Sequence, residues 1–89
     1  MKYLLFYQMT PDGDSRIPVS HAGHKARLQE FRDKGTLLMA GPFGSPPIGA
    51  VSIFTTREAA LEFISGDPFV TNRVVQNLDI HEWNEVLVP

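Results

Sequence analysis

His24-Lys25-Ala26-Arg27-Leu28-Gln29-Glu30-Phe31-Arg32-Asp33-Lys34-Gly35, continued by Thr36-Leu37-Leu38-Met39-Ala40-Gly41-Pro42-Phe43, is the stretch on which the fold turns. Its first part reads as the end of an amphipathic helix stopped by glycine. Its second part reads as a buried strand ended by Gly-Pro. On a helical wheel Leu28 and Phe31 define an inward stripe. His24, four residues before Leu28, falls on that stripe, and His21 lies at its edge. An imidazole pointing inward near a helix start is the most informative feature of the chain.

Working outward, Ser20 is the expected cap of this first helix, which runs to Lys34 with Gly35 at the C′ position. Before it, Met9 to Val19 carries Pro11, Asp12-Gly13-Asp14 and Pro18, all turn and breaker residues. So long a loop in so small a domain reads either as a lid over a site or as a plain connector. Residues 2–8 form a first strand with apolar side chains on both faces, Leu4 and Phe6 against Tyr3, Leu5 and Tyr7. After the second strand, Thr36 to Gly41, a Pro- and Gly-rich turn leads to a third, Gly49 to Thr55, also apolar on both faces. Thr55-Thr56-Arg57-Glu58 has capping-box spacing and opens a second helix, buried through Ala59, Ala60, Phe63 and Ile64 and ended by Gly66. Asp67-Pro68 reads as an N-cap followed by proline at N1, opening a short helical turn. A last strand begins near Val75 and runs through Ile80 and Trp83 towards Val88.

The order is βαββαβ, which predicts a ferredoxin-like α+β domain spanning residues 1–89. Direction alone then brings distant residues together. If the first strand runs up, the first helix starts at the top, the second strand ends there, and the second helix finishes there. His24, Gly41-Pro42-Phe43 and Asp67 therefore meet at one end of the sheet. Two helices cover one sheet face only, while the strands are apolar on both. A second copy packed sheet against sheet is the expected cover, giving a homodimer.

Composition narrows the function classes. Eighty-nine residues make one domain with a modest core. A formal charge of −2 without a Lys/Arg cluster argues against nucleic acid and against an anionic membrane surface. There is no cysteine, so thiol and disulfide chemistry is excluded. The run Tyr3-Leu4-Leu5-Phe6-Tyr7 is too short for a membrane span. The chain reads as cytoplasmic.

The first strand, His24 followed eleven residues later by Gly35, Leu37-Leu38-Met39-Ala40-Gly41-Pro42, Asp67-Pro68-Phe69-Val70 and the ending Ile80-His81-Glu82-Trp83 resemble the YciI-like proteins, the YCII-related domain family, over nearly the whole chain. The resemblance implies a ferredoxin-like fold, a dimeric α/β barrel and a His–Asp active-site pair, by position His24 and Asp67. A characterised relative is a dehydrochlorinase of a chlorinated hydroxyquinol, which points to a small aromatic or enolisable substrate. Gly41, Pro42, Phe43 and Phe69 belong to the same end and are the expected substrate-binding residues.

Each candidate has a plainer reading. His24 alone could be a core histidine, and Asp67 a helix cap and nothing more; their convergence favours a functional pair. Histidines three apart share a helix face, so His21 and His24 with a carboxylate could hold a metal, but the expectation is no metal and no cofactor. His81 alternates with Trp83 and reads as a sheet-face residue. Two function classes stay open. One is a small enzyme using His24 for acid/base chemistry, since imidazole has an ordinary pKa, about 6.5, nearest to working pH. The other is a non-catalytic module whose cavity holds a small ligand.

Overall fold

The computed structural model describes all residues 1–89. Alternating apolar residues make β1 (Lys2–Met9), which pairs antiparallel with β3 (Gly49–Phe54) on one side and with β4 (Val75–Trp83) on the other. β2 (Leu37–Phe43) pairs with β3, so the sheet order is β2-β3-β1-β4, fully antiparallel. Helices α1 (Ile17–Asp33), α2 (Arg57–Gly66) and the single turn α3 (Pro68–Thr71) complete a small α+β fold with βαββαβ order.

The helix ends follow local chemistry. Gly35 sits at φ +81, a left-handed conformation that glycine enters without strain, and ends α1. Its N–H donates to Arg32 O at 2.9 Å, and Thr36 N–H donates to Phe31 O at 3.1 Å, the paired bonds of a Schellman stop that turns the chain into β2. At the head of α2, Thr56 rather than Thr55 is the cap: its hydroxyl accepts from Ala59 N–H at 3.1 Å. The box spacing was one residue off because Thr55 still belongs to the sheet edge, where its N–H donates to Thr36 O.

Two expectations about the first helix are corrected. α1 begins at Ile17, and Ser20 lies inside it, buried, donating its hydroxyl to Arg16 O. Pro18 punctuates nothing, because a proline in the first turn has no N–H to lose from the ladder. The supposed long loop thereby shrinks. Residues Gly13–Arg16 form a 3-10 turn, and Gly13 is buried so closely that a Cβ there would lie 2.2 Å from Val74 O. Arg16 donates to Arg73 O and clasps Asp12. The segment is fastened to the turn before β4, which leaves no free lid.

The last strand is likewise shorter than expected. It stops at Trp83, opposite Lys2, because β1 offers no residue beyond that pair. Val86, Leu87 and Val88 are exposed, while Glu85 turns back to the Lys2 ammonium and the chain's amino group.

The core lies between the helices and one sheet face. Phe31, Phe54 and Phe63 meet with ring centroids 5.3–6.4 Å apart, mostly edge to face, and Leu5, Ala60 and Val74 close around them. Burying each such ring stabilises the fold by about 1.5–3 kcal/mol. The other sheet face carries Leu4, Phe6, Val51 and Ile53, half buried, and the exposed Met39 and Phe43. No segment of the chain covers it.

Candidate active site

Asp67 has the right covalent position to serve two helices at once. It follows Gly66, the last residue of α2, and precedes Pro68, the first of α3. Its extended backbone (φ −75, ψ 120) stops one helix and caps the next, with Oδ1 accepting from Phe69 N–H at 3.1 Å. The side chain is fully buried.

A buried carboxylate must be satisfied by donors. Besides the Phe69 amide there are two. His24 Nδ1 lies 2.7 Å from Oδ1, and the Tyr7 hydroxyl donates to Oδ2 at 2.7 Å. An ionised carboxylate only accepts, so the imidazole proton of this contact sits on Nδ1. His24 is further held by the Phe69 ring, stacked on it at 3.8 Å between centroids and only 4° from parallel. One short turn, Asp67 to Phe69, thus fixes the ring's tilt and its tautomer.

The approach of α1 to this turn depends on two residues near His24. Gly23 faces Pro68, and a Cβ there would lie 2.9 Å from Pro68 Cγ, so glycine permits the close contact. Arg27, one turn on, donates Nε to Phe63 O at 2.9 Å and a terminal nitrogen to Glu62 O at 2.6 Å. These are carbonyls of the last turns of α2, where a cation also meets the negative end of the helix dipole. Arg27 therefore fastens α1 to the end of α2 that delivers Asp67.

His24 is one wall of a cavity of about 370 Å³ between α1 and the sheet. Nε2 has no protein partner and is not buried, so the free nitrogen of the ring is open to this space. Asp67 stands behind the ring and does not line the cavity. Gly41, Pro42 and Phe69 line it, as does His21 at the exposed rim. Phe43 does not. Strand alternation turns it to the opposite sheet face, where it lies beside Phe6, Ile48 and Asp79. His81 also faces that side, edge-on to Phe6 at 5.8 Å. No cluster of three His, Asp or Glu side chains has the geometry of a metal site.

Sequence reasoning missed Tyr7 and Ser52. Tyr7 is 3% exposed, and its hydroxyl is held strongly protonated, first by burial and then by the negative charge of Asp67. The signal was available: Tyr7 is the inward residue at the same end of the first strand where the helices converge. Ser52, on β3 opposite Leu5, is buried and lines the cavity. Its only signal was a hydroxyl among apolar neighbours.

The arrangement provides a base nitrogen facing a largely apolar cleft, with its partner nitrogen tied to a buried carboxylate. Comparison with known proteins shows the family and the fold. Residues 1–84 match the family model of the YCII-related domain. The chain is 30% identical over 98 aligned positions to Protein YciI of Escherichia coli and of Shigella flexneri, covering 97% of this chain and 99% of each relative. Its fold is similar to that of 5-chloro-2-hydroxyhydroquinone dehydrochlorinase from Burkholderia phenoliruptrix, solved with 2,5-dihydroxybenzoquinone. There the TM-score is 0.75 with 18% identity over 94% of both chains. The chain belongs to the YCII-related domain family.

Proposed function

We propose that this protein is a cofactor-independent enzyme in which His24 Nε2 transfers a proton to or from a small organic substrate, with Asp67 orienting the ring. The observation that carries the reading is the division of labour on one imidazole: Nδ1 is bound 2.7 Å from a fully buried carboxylate while Nε2 opens to the cavity. A neutral imidazole held in that tautomer presents a lone pair to the substrate, the state a general base requires. A mainly apolar cavity of this size suits an aromatic or enolisable molecule. The dehydrochlorinase of like fold suggests the reaction class, a lyase step in which the base takes a proton and chloride leaves with the bonding pair. Phe69, Gly41 and Pro42 shape the wall beside the ring.

The same reading makes the working form a homodimer, a dimeric α/β barrel closed sheet to sheet. Leu4, Phe6, Val51, Ile53 and Phe43 form an apolar face that the chain leaves uncovered. Sedimentation of the purified protein at micromolar concentration should give twice the monomer mass; a clean monomer rejects this interface.

The catalytic reading is tested by chloride release from a panel of chlorinated hydroquinones, 5-chloro-2-hydroxyhydroquinone included. His24→Gln should fold and assemble as wild type yet lose about 10²–10⁴-fold in turnover, the usual contribution of a positioned base. A His24→Gln protein of full activity rejects the reading and leaves the cavity as a binding site.

A further inference from the structure

The cavity has a polarity that the His24–Asp67 pair does not explain. Ser52 is 6% exposed, its hydroxyl has no hydrogen-bond partner in the protein, and it is still accessible, because it opens onto the cavity. A hydroxyl so deep in a fold is normally paired, since leaving it bare forfeits its hydration without return. Around it the floor is apolar, formed by Ala50, Val75 and Leu28. At the rim stands Lys25, which also lines the cavity and forms an ion pair with no carboxylate of the chain. His21 lies one turn before it. No Asp or Glu lines the cavity at all.

We infer that the cavity binds a small organic anion bearing a second oxygen function. The acidic oxygen, a carboxylate or phenolate, pairs with the Lys25 ammonium at the rim. The second oxygen, a hydroxyl or carbonyl, reaches the floor and bonds the Ser52 hydroxyl, which can donate or accept. The apolar walls hold the carbon skeleton between them. Neutral molecules of the same shape forgo the charge pairing with Lys25, and molecules lacking the inner oxygen leave Ser52 unpaired. Ser52 and Lys25 are thereby specificity-determining residues. The inference rests on the reading of this cavity as the ligand site and adds the class of ligand it accepts.

Three probes of nearly one shape separate the two contacts: 4-hydroxybenzoate, 4-hydroxybenzamide and benzoate, each titrated into the full chain and followed by amide NMR shifts. The wild type should bind 4-hydroxybenzoate about tenfold tighter than the neutral amide, and about threefold to tenfold tighter than benzoate. Lys25→Gln should close the first gap and leave the second; Ser52→Ala should close the second and leave the first. His24→Gln should keep both preferences, which separates this inference from the catalytic one: loss of turnover there with both preferences intact supports the two together. A Lys25→Gln protein that still prefers the anion overturns the assignment. So does a Ser52→Ala protein that still prefers the hydroxyl, or a wild type that binds none of the three.

Discussion

Replacing Tyr7 by phenylalanine removes one oxygen and leaves the ring in place, so it isolates the hydrogen bond to Asp67 Oδ2. That bond is 2.7 Å long and joins a residue 3% exposed to one fully buried. A hydrogen bond to a charged group is worth about 1.5–3 kcal/mol, and the carboxylate oxygen left behind cannot recruit bulk water. We expect Tyr7→Phe to lose about 2 kcal/mol at pH 8. The pH dependence carries a second signature. Burial, and then the charge on Asp67, raises the Tyr7 pKa far above its ordinary value. The stabilisation is therefore complete below about pH 10, where unfolded tyrosine is still protonated. Above that point the unfolded chain releases a proton that the folded chain keeps, and the contribution falls by about 1.4 kcal/mol per pH unit. A 2 kcal/mol advantage should be gone about 1.5 units above the ordinary tyrosine pKa, near pH 11.5. Urea unfolding of both proteins at one fixed concentration, followed by circular dichroism from pH 7 to 11.5, measures the gap. Equal stability at pH 8, or a gap that stays constant through the alkaline range, refutes the buried Tyr7–Asp67 bond.

Two further outcomes follow from the same turn. Asp67→Asn should keep the cap on Phe69 N–H, since asparagine caps comparably, but the oxygen it shares with His24 Nδ1 becomes a neutral, weaker acceptor and the hold on the tautomer should loosen. ¹⁵N shifts of the His24 ring should report an Nδ1–H imidazole in the wild type and a larger share of the other tautomer in the variant, with turnover reduced; an unchanged pattern means that a neutral acceptor at this position holds the proton as well as the carboxylate does. Gly23→Ala should be destabilising, although alanine favours a helix by about 1 kcal/mol over glycine. The added methyl has to displace Pro68, and a higher melting temperature would show that the α1–α3 contact has room to spare.

What could be read in advance was whatever one local period or one topological rule decides. The Gly35 stop, the double-sided strands and the Asp67-Pro68 cap are short-range signals, and βαββαβ connectivity turned them into the meeting of His24 with Asp67. Most of the failures depended on a partner remote in sequence, and one on a local rule misapplied. The start of α1 was hidden because Pro18 and Gly13 look like breakers, and only the contacts of Gly13 and Arg16 with Val74 and Arg73 show the segment inside folded structure. Phe43 was placed beside Pro42 by proximity in sequence, whereas alternation along β2 sends neighbours to opposite faces. Ser52 could not be singled out, because an unpaired hydroxyl is defined by what fails to surround it.

Asp67 joins two helices and also steadies the imidazole, and this double duty bears on how relatives are judged. A descendant that abandoned catalysis would gain nothing by discarding this carboxylate, for the joint between α2 and α3 would weaken with it. The imidazole carries a smaller architectural debt, since another donor in its place could satisfy the same carboxylate oxygen. Retention of the aspartate in a distant cousin is thus poor testimony for enzymatic life, and the position of His24 is the better witness. New substrate preferences, for their part, can be tried at Lys25 and Pro42 on the rim without touching the joint.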